Sequence, residues 1–191
     1  MRAVTPRILP VSDADATEAQ QAILAPFVAR GADYNIFRTM ARHPRALDRF
    51  LTWGNYILSQ ENSLPARVRE IAILRTGFNC VAGYEWAQHV VIGKRAGLTS
   101  DELDRIKAGP DAAGWSDEDR AVLAACDDLT STFFVSDEHW ESLTRHLREE
   151  QCMDLVYTVG QYTQVSMLLN SFGVQPDIGL VVDADVDRRQ G

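Results

Sequence analysis

Glu85 and His89 stand four residues apart in GYEWAQHVVIGKR, and this is the spacing in the chain that points most directly to chemistry. On a helix, residues four apart are neighbours on one face. A carboxylate touching an imidazole holds it in a defined protonation state. Such a pair can pass protons to and from a reacting group. A wheel at about 100° per residue puts Ile92, Gly93 and Ala96 on the same side, with Trp86 and Val90 beside them. Tyr84, Gln88, Lys94 and Arg95 fall on the other side. The pair thus lies on the less polar face, where it either handles protons or serves as a satisfied buried lock on the helix.

The preceding segment, ARVREIAILRTGFN, adds a third group. Glu70 shares a helical face with Ile73, Leu74 and Gly77, while Arg75 falls among Val68, Ile71 and Phe78. Buried charges are costly unless paired. One arrangement is an internal Glu70–Arg salt bridge. The other turns Glu70 towards Glu85 and His89, where two carboxylates around one histidine would split their pKa values. The same three residues offer only two ligands on one face and a loosely placed third, short of the tight three-ligand set of a catalytic zinc site, so no metal is expected.

Cys80 lies just before the Glu85 helix and has no partner in a C-x-x-C. A cysteine at a helix entrance is either a thiol of lowered pKa or a small buried hydrophobe. Cys126 and Cys152 read as core residues. His43 reads as a turn residue before Pro44, and His139 and His146 as surface residues. Trp53, Trp115 and Trp140 read as packing residues. Trp86, bordering the Glu85–His89 face, is expected to line a pocket, with Tyr84 helping to shape it.

The elements that must carry these groups are almost all helices. Spaced apolar positions mark a helix over 14–30, stopping near Pro26 and Gly31. Pro44 and Pro65 each open a helix, since the missing N–H falls among the unpaired donors of a first turn. The helix over 83–96 is expected to stop at Gly97. Thr99 and Glu102 form a capping box for the next, which ends at Gly109-Pro110. Ser116 caps a helix to about 133, and Ser136 caps another. A long helix over 150–172 stops at Gly173, and the tail QPDIGLVVDADVDRRQG is expected to pack only in part. No alternating run argues for a sheet. The class is all-α, in a single domain over residues 1–191.

Composition bounds what such a domain does. The chain has 191 residues, 46% hydrophobic and 24% charged, which suits one globular core burying about 70% of its extended surface. Nineteen Lys+Arg against 27 Asp+Glu give a net charge of −8. A chain this acidic gains nothing from counterion release at phosphates, so no nucleic-acid partner is expected. No apolar run reaches 18 residues, so no membrane span is expected. Residues 1–20 hold no signal-like apolar stretch, and three scattered cysteines make no disulfide framework. A cytoplasmic location follows as the expectation.

The stretch PARVREIAILRTGFNCVAGYEWAQHVVIGKRAGLTSDEL resembles the carboxymuconolactone decarboxylase family. It is most similar to members with a C…YEW-x-x-H signature. Softer likeness in NIFRTMARHPRALDRFLTWGNYIL and LVYTVGQYTQVSMLLNSFGV extends it to about residues 7–177, with a family core over 43–125. The resemblance implies an all-helical alkyl-hydroperoxidase-D-like bundle that assembles as a homo-dimer, trimer or hexamer. In the peroxidase branch of that family a glutamate, a C-x-x-C pair and a histidine form a proton relay. Aligned on His89, the glutamate falls at Glu70, while Glu85 and Ala82 occupy the two cysteine positions and Cys80 lies outside both.

The ends of the relay are therefore present without its redox pair. The resemblance implies a cofactor-free acid/base enzyme acting on a small carbonyl or lactone acid by decarboxylation, isomerisation or lactone opening. In that reading His89 is general acid or base, Glu85 orients it or trades protons with it, and Glu70 sets the charge of the pair. Two alternatives stay open: a thiol peroxidase using Cys80, and a non-catalytic oligomer that binds a small molecule.

Overall fold

The computed structural model describes residues 2–187 and the backbone of Arg189 and Gln190. Among these residues the chain forms nine helices: α1 (Glu18–Val28), α2 (Asn35–Met40), α3 (Pro44–Leu58), α4 (Ala66–Asn79), α5 (Gly83–Arg95), α6 (Ser100–Ala108), α7 (Asp117–Ser131), α8 (Asp137–Thr144) and α9 (Glu149–Phe172). Two-residue strands β1 (Arg2–Ala3) and β2 (Arg189–Gln190) pair in parallel, Arg2 opposite Arg189. None of these helices is long and apolar enough to cross a membrane.

The caps explain most of the boundaries. Thr99 Oγ1 accepts the Glu102 N–H at 3.2 Å, and Glu102 Oε2 accepts the Thr99 N–H at 2.8 Å, closing the capping box of α6. Ser116 and Ser136 accept the N–H groups of Asp119 and His139. Gly97 and Gly173 take positive φ after α5 and α9, where a side chain would be strained. The first helix is shorter than the 14–30 expectation because Thr17 caps it and Gln20 answers as the third residue of the box. The sequence pattern misses α2, whose six residues are too few to show a period.

Helix α4 is the centre of the fold and packs against α5, α7 and α9. Ile71, Ala72, Ile73 and Leu74 are all fully buried, so α4 has no solvent face over this stretch. Burying a Leu or Ile side chain contributes about 1.5–3 kcal/mol. The polar residues carried in with them must then find partners. Arg75 does so by gripping both oxygens of Asp127 at 2.6 and 2.8 Å and donating to the Ile106 and Lys107 carbonyls. The Glu70–Arg salt bridge envisaged from the sequence is therefore not made; Asp127 and backbone carbonyls take the Arg75 guanidinium.

The tail packs in part: Ile178 and Val181 stand exposed, while Val186 and Asp187 are buried. Asp187 meets the buried Arg2 guanidinium at 2.8 and 3.0 Å, and Val186 joins the main core cluster. Gly83 makes room for this crossing: a Cβ there would lie 2.6 Å from the Asp187 Cα. Further back, Asp177 accepts from the Tyr84 hydroxyl at 2.5 Å and from the Asn35 N–H at 2.7 Å.

Candidate active site

The crossing of α4 and α5 builds the polar centre of the molecule. Gly93 lies where the two helices approach, and a Cβ there would sit 3.3 Å from Leu74 Cδ1 and 3.7 Å from Glu70 Cβ. Because the helices come this close, Glu70 on α4 reaches His89 on α5. His89 Nδ1 lies 2.7 Å from Glu70 Oε2, and His89 Nε2 lies 2.9 Å from Glu85 Oε1. The imidazole is thus held between two carboxylates, one on each nitrogen. All three side chains are buried, with no more than 6% exposed.

Burial acts first on His89 and pulls its pKa down, because it disfavours the charged ring. The attraction of Glu70 and Glu85, together with their hydrogen bonds, outweighs that effect and lifts the pKa to about 10. At neutral pH the ring is an imidazolium and both nitrogens donate. Tyr162 of α9 packs edge-on against the ring, with centroids 4.9 Å apart and planes at 86°. Burial, reinforced by Glu85 and Glu70, raises the Tyr162 phenol well above its ordinary value, so it stays neutral.

One side of this cluster opens on a cavity of about 190 Å³. Glu85 and His89 stand on its wall, and Glu70 lies behind His89, off the wall. Phe27, Phe37 and Phe50 from α1, α2 and α3 supply much of the apolar surface, with Tyr162 and Val165 from α9 opposite. The arrangement gives a small apolar chamber with an ionised proton-handling group set into one wall.

Of the expected site residues, the structure brings Glu70, Glu85 and His89 together and places Tyr84 on the cavity wall. It places Trp86 elsewhere. Trp86 belongs to the main core, with its ring against Phe78 and the Lys107 ammonium over its face. The cavity lies over the Tyr84–Gln88 side of α5, the side that seemed polar because of its residue types. Gln88 and Tyr84 are accommodated there by bonding Asp177 of the tail. Cys80 is also apart: it caps the C-terminal end of α4, and it is not a wall residue. Burial is the main influence on its thiol and pushes the pKa up, against hydrogen bonds from Thr163 and Ser166. Among the described residues no three His, Cys, Asp or Glu side chains are grouped to hold a metal ion.

Sequence reasoning missed Tyr162, Gln161 and the aromatic wall from α1–α3. On α9 the spacing of Gln161, Tyr162 and Val165 (i, i+1, i+4) was the available signal. For the Phe27, Phe37 and Phe50 wall there was none, since three separate helices supply it.

The helical fold around such a centre is that of alkyl-hydroperoxidase-D-like proteins. An uncharacterised peroxidase-related protein from Ralstonia eutropha JMP134, an AhpD core, matches with TM-score 0.77 and 19% identity over 90% of this chain and 92% of that one. The debrominase Bmp8, in complex with 2,3,4-tribromopyrrole, matches with TM-score 0.74 and 15% identity over 92% and 94%. A peroxidase-related protein from Silicibacter sp. TM1040 matches with TM-score 0.75 and 14% identity over 98% and 97%. A search of curated proteins gives no match. Residues 44–128, which hold Glu70, Glu85 and His89, match the model of the carboxymuconolactone decarboxylase family.

Proposed function

We propose that this chain is a cofactor-free acid/base enzyme for a small carbonyl or lactone compound. The observation that carries the reading is the imidazole of His89, clamped by Glu70 and Glu85 at the wall of an apolar cavity. Glu85 spends Oε1 on His89 and has Oε2 left for a substrate. In an isomerisation, Glu85 takes the proton from the carbon beside the carbonyl, and the C–H electron pair becomes the enolate. Return of that proton to a different carbon completes the step. His89 holds the carboxylate in place by its Nε2–H, and Glu70 keeps the ring charged. In lactone opening the same carboxylate would draw a proton from the attacking water as its oxygen bonds the carbonyl carbon, and would return that proton to the ring oxygen as the acyl C–O bond breaks. General acid–base help of this kind is worth about 10²–10⁴ in rate.

The alternative thiol chemistry has less support. The Cys80 thiol is off the cavity wall, its pKa is raised, and a thiolate is the nucleophilic form. Turnover of a panel of cyclic ketones, lactones and β-keto acids, followed by proton NMR, tests the reading. Wild-type protein should turn over at least one class, and His89→Gln should lose about 10²-fold or more with the helical spectrum intact. Equal rates in the two proteins would refute it.

A further inference from the structure

We infer that the cavity takes a neutral, mostly apolar ring compound with one hydrogen-bond acceptor, and that the side-chain amide of Gln161 holds that acceptor. This rests on the proton-transfer reading for the reaction, and it adds the class of substrate and the residue that recognises it.

Gln161 is 5% exposed, and its Nε2 is buried without a hydrogen-bond partner. Buried polar groups in native proteins are almost always paired. This amide lines the same cavity as Glu85 and His89, so a ligand in the cavity is the natural partner for its N–H groups. The neighbourhood leaves space for one. Gly54 of α3 stands opposite, and even a methyl group there would come only to 3.7 Å from Gln161 Nε2.

Charge decides the rest. Among the described residues no Lys or Arg lines the cavity. With His89 protonated between two carboxylates, the cluster carries a net negative charge, and Glu85 presents it to the cavity. A substrate carboxylate would lose its hydration and find no unpaired cation, because both ring nitrogens of His89 are already taken by Glu70 and Glu85. The aromatic walls instead favour a flat apolar body. Apolar cavities of about 150 Å³ hold a benzene ring, so about 190 Å³ suits one ring with a small substituent. A substrate without a carboxylate leaves isomerisation and lactone opening as the chemistry, and removes decarboxylation.

The test uses three matched probes at pH 7.5: acetophenone (neutral, one acceptor), ethylbenzene (neutral, none) and benzoate (anionic). Binding is followed by protein-observed NMR on the full chain. Acetophenone should bind at least tenfold tighter than benzoate and should shift the Gln161 side-chain amide signal. Gln161→Leu should weaken acetophenone by roughly three- to tenfold, the range for one neutral hydrogen bond, and leave ethylbenzene within about twofold. Gly54→Ala, which narrows the space beside the amide without touching the proton-handling cluster, should also weaken acetophenone and should not lower the melting temperature. It keeps the test open if Gln161→Leu folds poorly. Benzoate binding as tightly as acetophenone, or acetophenone indifferent to both substitutions, overturns the inference. If β-keto acids are turned over with His89 dependence while neutral compounds are not, this inference fails and the proton-transfer reading stands. Acetophenone binding through Gln161 with no His89-dependent turnover of any compound supports the recognition and sinks the reaction.

Discussion

Replacing Glu70 with glutamine keeps the size and hydrogen-bonding reach of the side chain and removes one of the two charges that hold His89 protonated. In the folded chain that ring titrates at about 10, against about 6.5 when unperturbed. A group whose pKa is raised on folding contributes its full stability below the unfolded value and loses it as pH climbs through the folded one. Native protein should therefore lose stability between about pH 6.5 and 10, on the order of 3–5 kcal/mol, once the same curve for His89→Gln is subtracted. An opposite charge at contact distance is worth about 1–3 pKa units. In Glu70→Gln the His89 midpoint should fall by that amount, and the pH-dependent loss should shrink by about 1.4–4 kcal/mol. Ring-proton NMR from pH 5 to 11 gives the midpoint, and urea unfolding at pH 6 and pH 10 gives the stability difference. A native His89 that titrates near 6.5, or a midpoint unmoved in Glu70→Gln, would refute the idea that two carboxylates share its charge.

Three further outcomes are expected. Cys80 should react slowly with iodoacetamide at pH 8 relative to a free thiol, since burial raises its pKa, and Cys80→Ser should leave any hydroperoxide turnover unchanged; rapid alkylation or a lost activity would count against this. Asp187→Ala strands the buried Arg2 guanidinium, so it should cost about 3–5 kcal/mol in urea unfolding, the range for breaking a buried pair; a loss under 1 kcal/mol would mean the tail clasp is dispensable. Light scattering at micromolar concentration should give a homo-oligomer mass, since α9 leaves Met153, Tyr157 and Met167 exposed, and a monomer mass would contradict it.

How legible each part was in the sequence follows from the range of the contact. Glu85 and His89 were visible as a pair because four residues on one helix bring side chains together whatever surrounds them. The Glu70 contact depends on how closely α4 and α5 cross, and that rests on Gly93, whose lack of a side chain says nothing by itself about which helix approaches. Family resemblance supplied the Glu70–His89 pairing that spacing left open. Trp86 was misplaced for a related reason. A helical wheel orders residues around α5 but does not say which neighbour covers each side. The α4–α7 core took the Trp86 side, and α9 with the N-terminal aromatic residues took the Tyr84–Gln88 side. The anchors of the tail were not legible, because Asp177, Asp183 and Asp187 each find a partner more than 75 residues away in sequence, in Tyr84, Lys107 and Arg2.

Deuterium uptake from D₂O into a cyclic ketone, at the carbon beside the carbonyl, tests proton transfer at this cavity most directly. It needs no knowledge of the natural product and reads the transfer itself. With cyclohexanone as probe, wild-type protein should speed the uptake above the buffer rate, and Glu85→Gln, equally folded by circular dichroism, should lose about 10²-fold or more of that acceleration. Uptake at the buffer rate with wild-type protein, or the same acceleration in Glu85→Gln, would contradict the account.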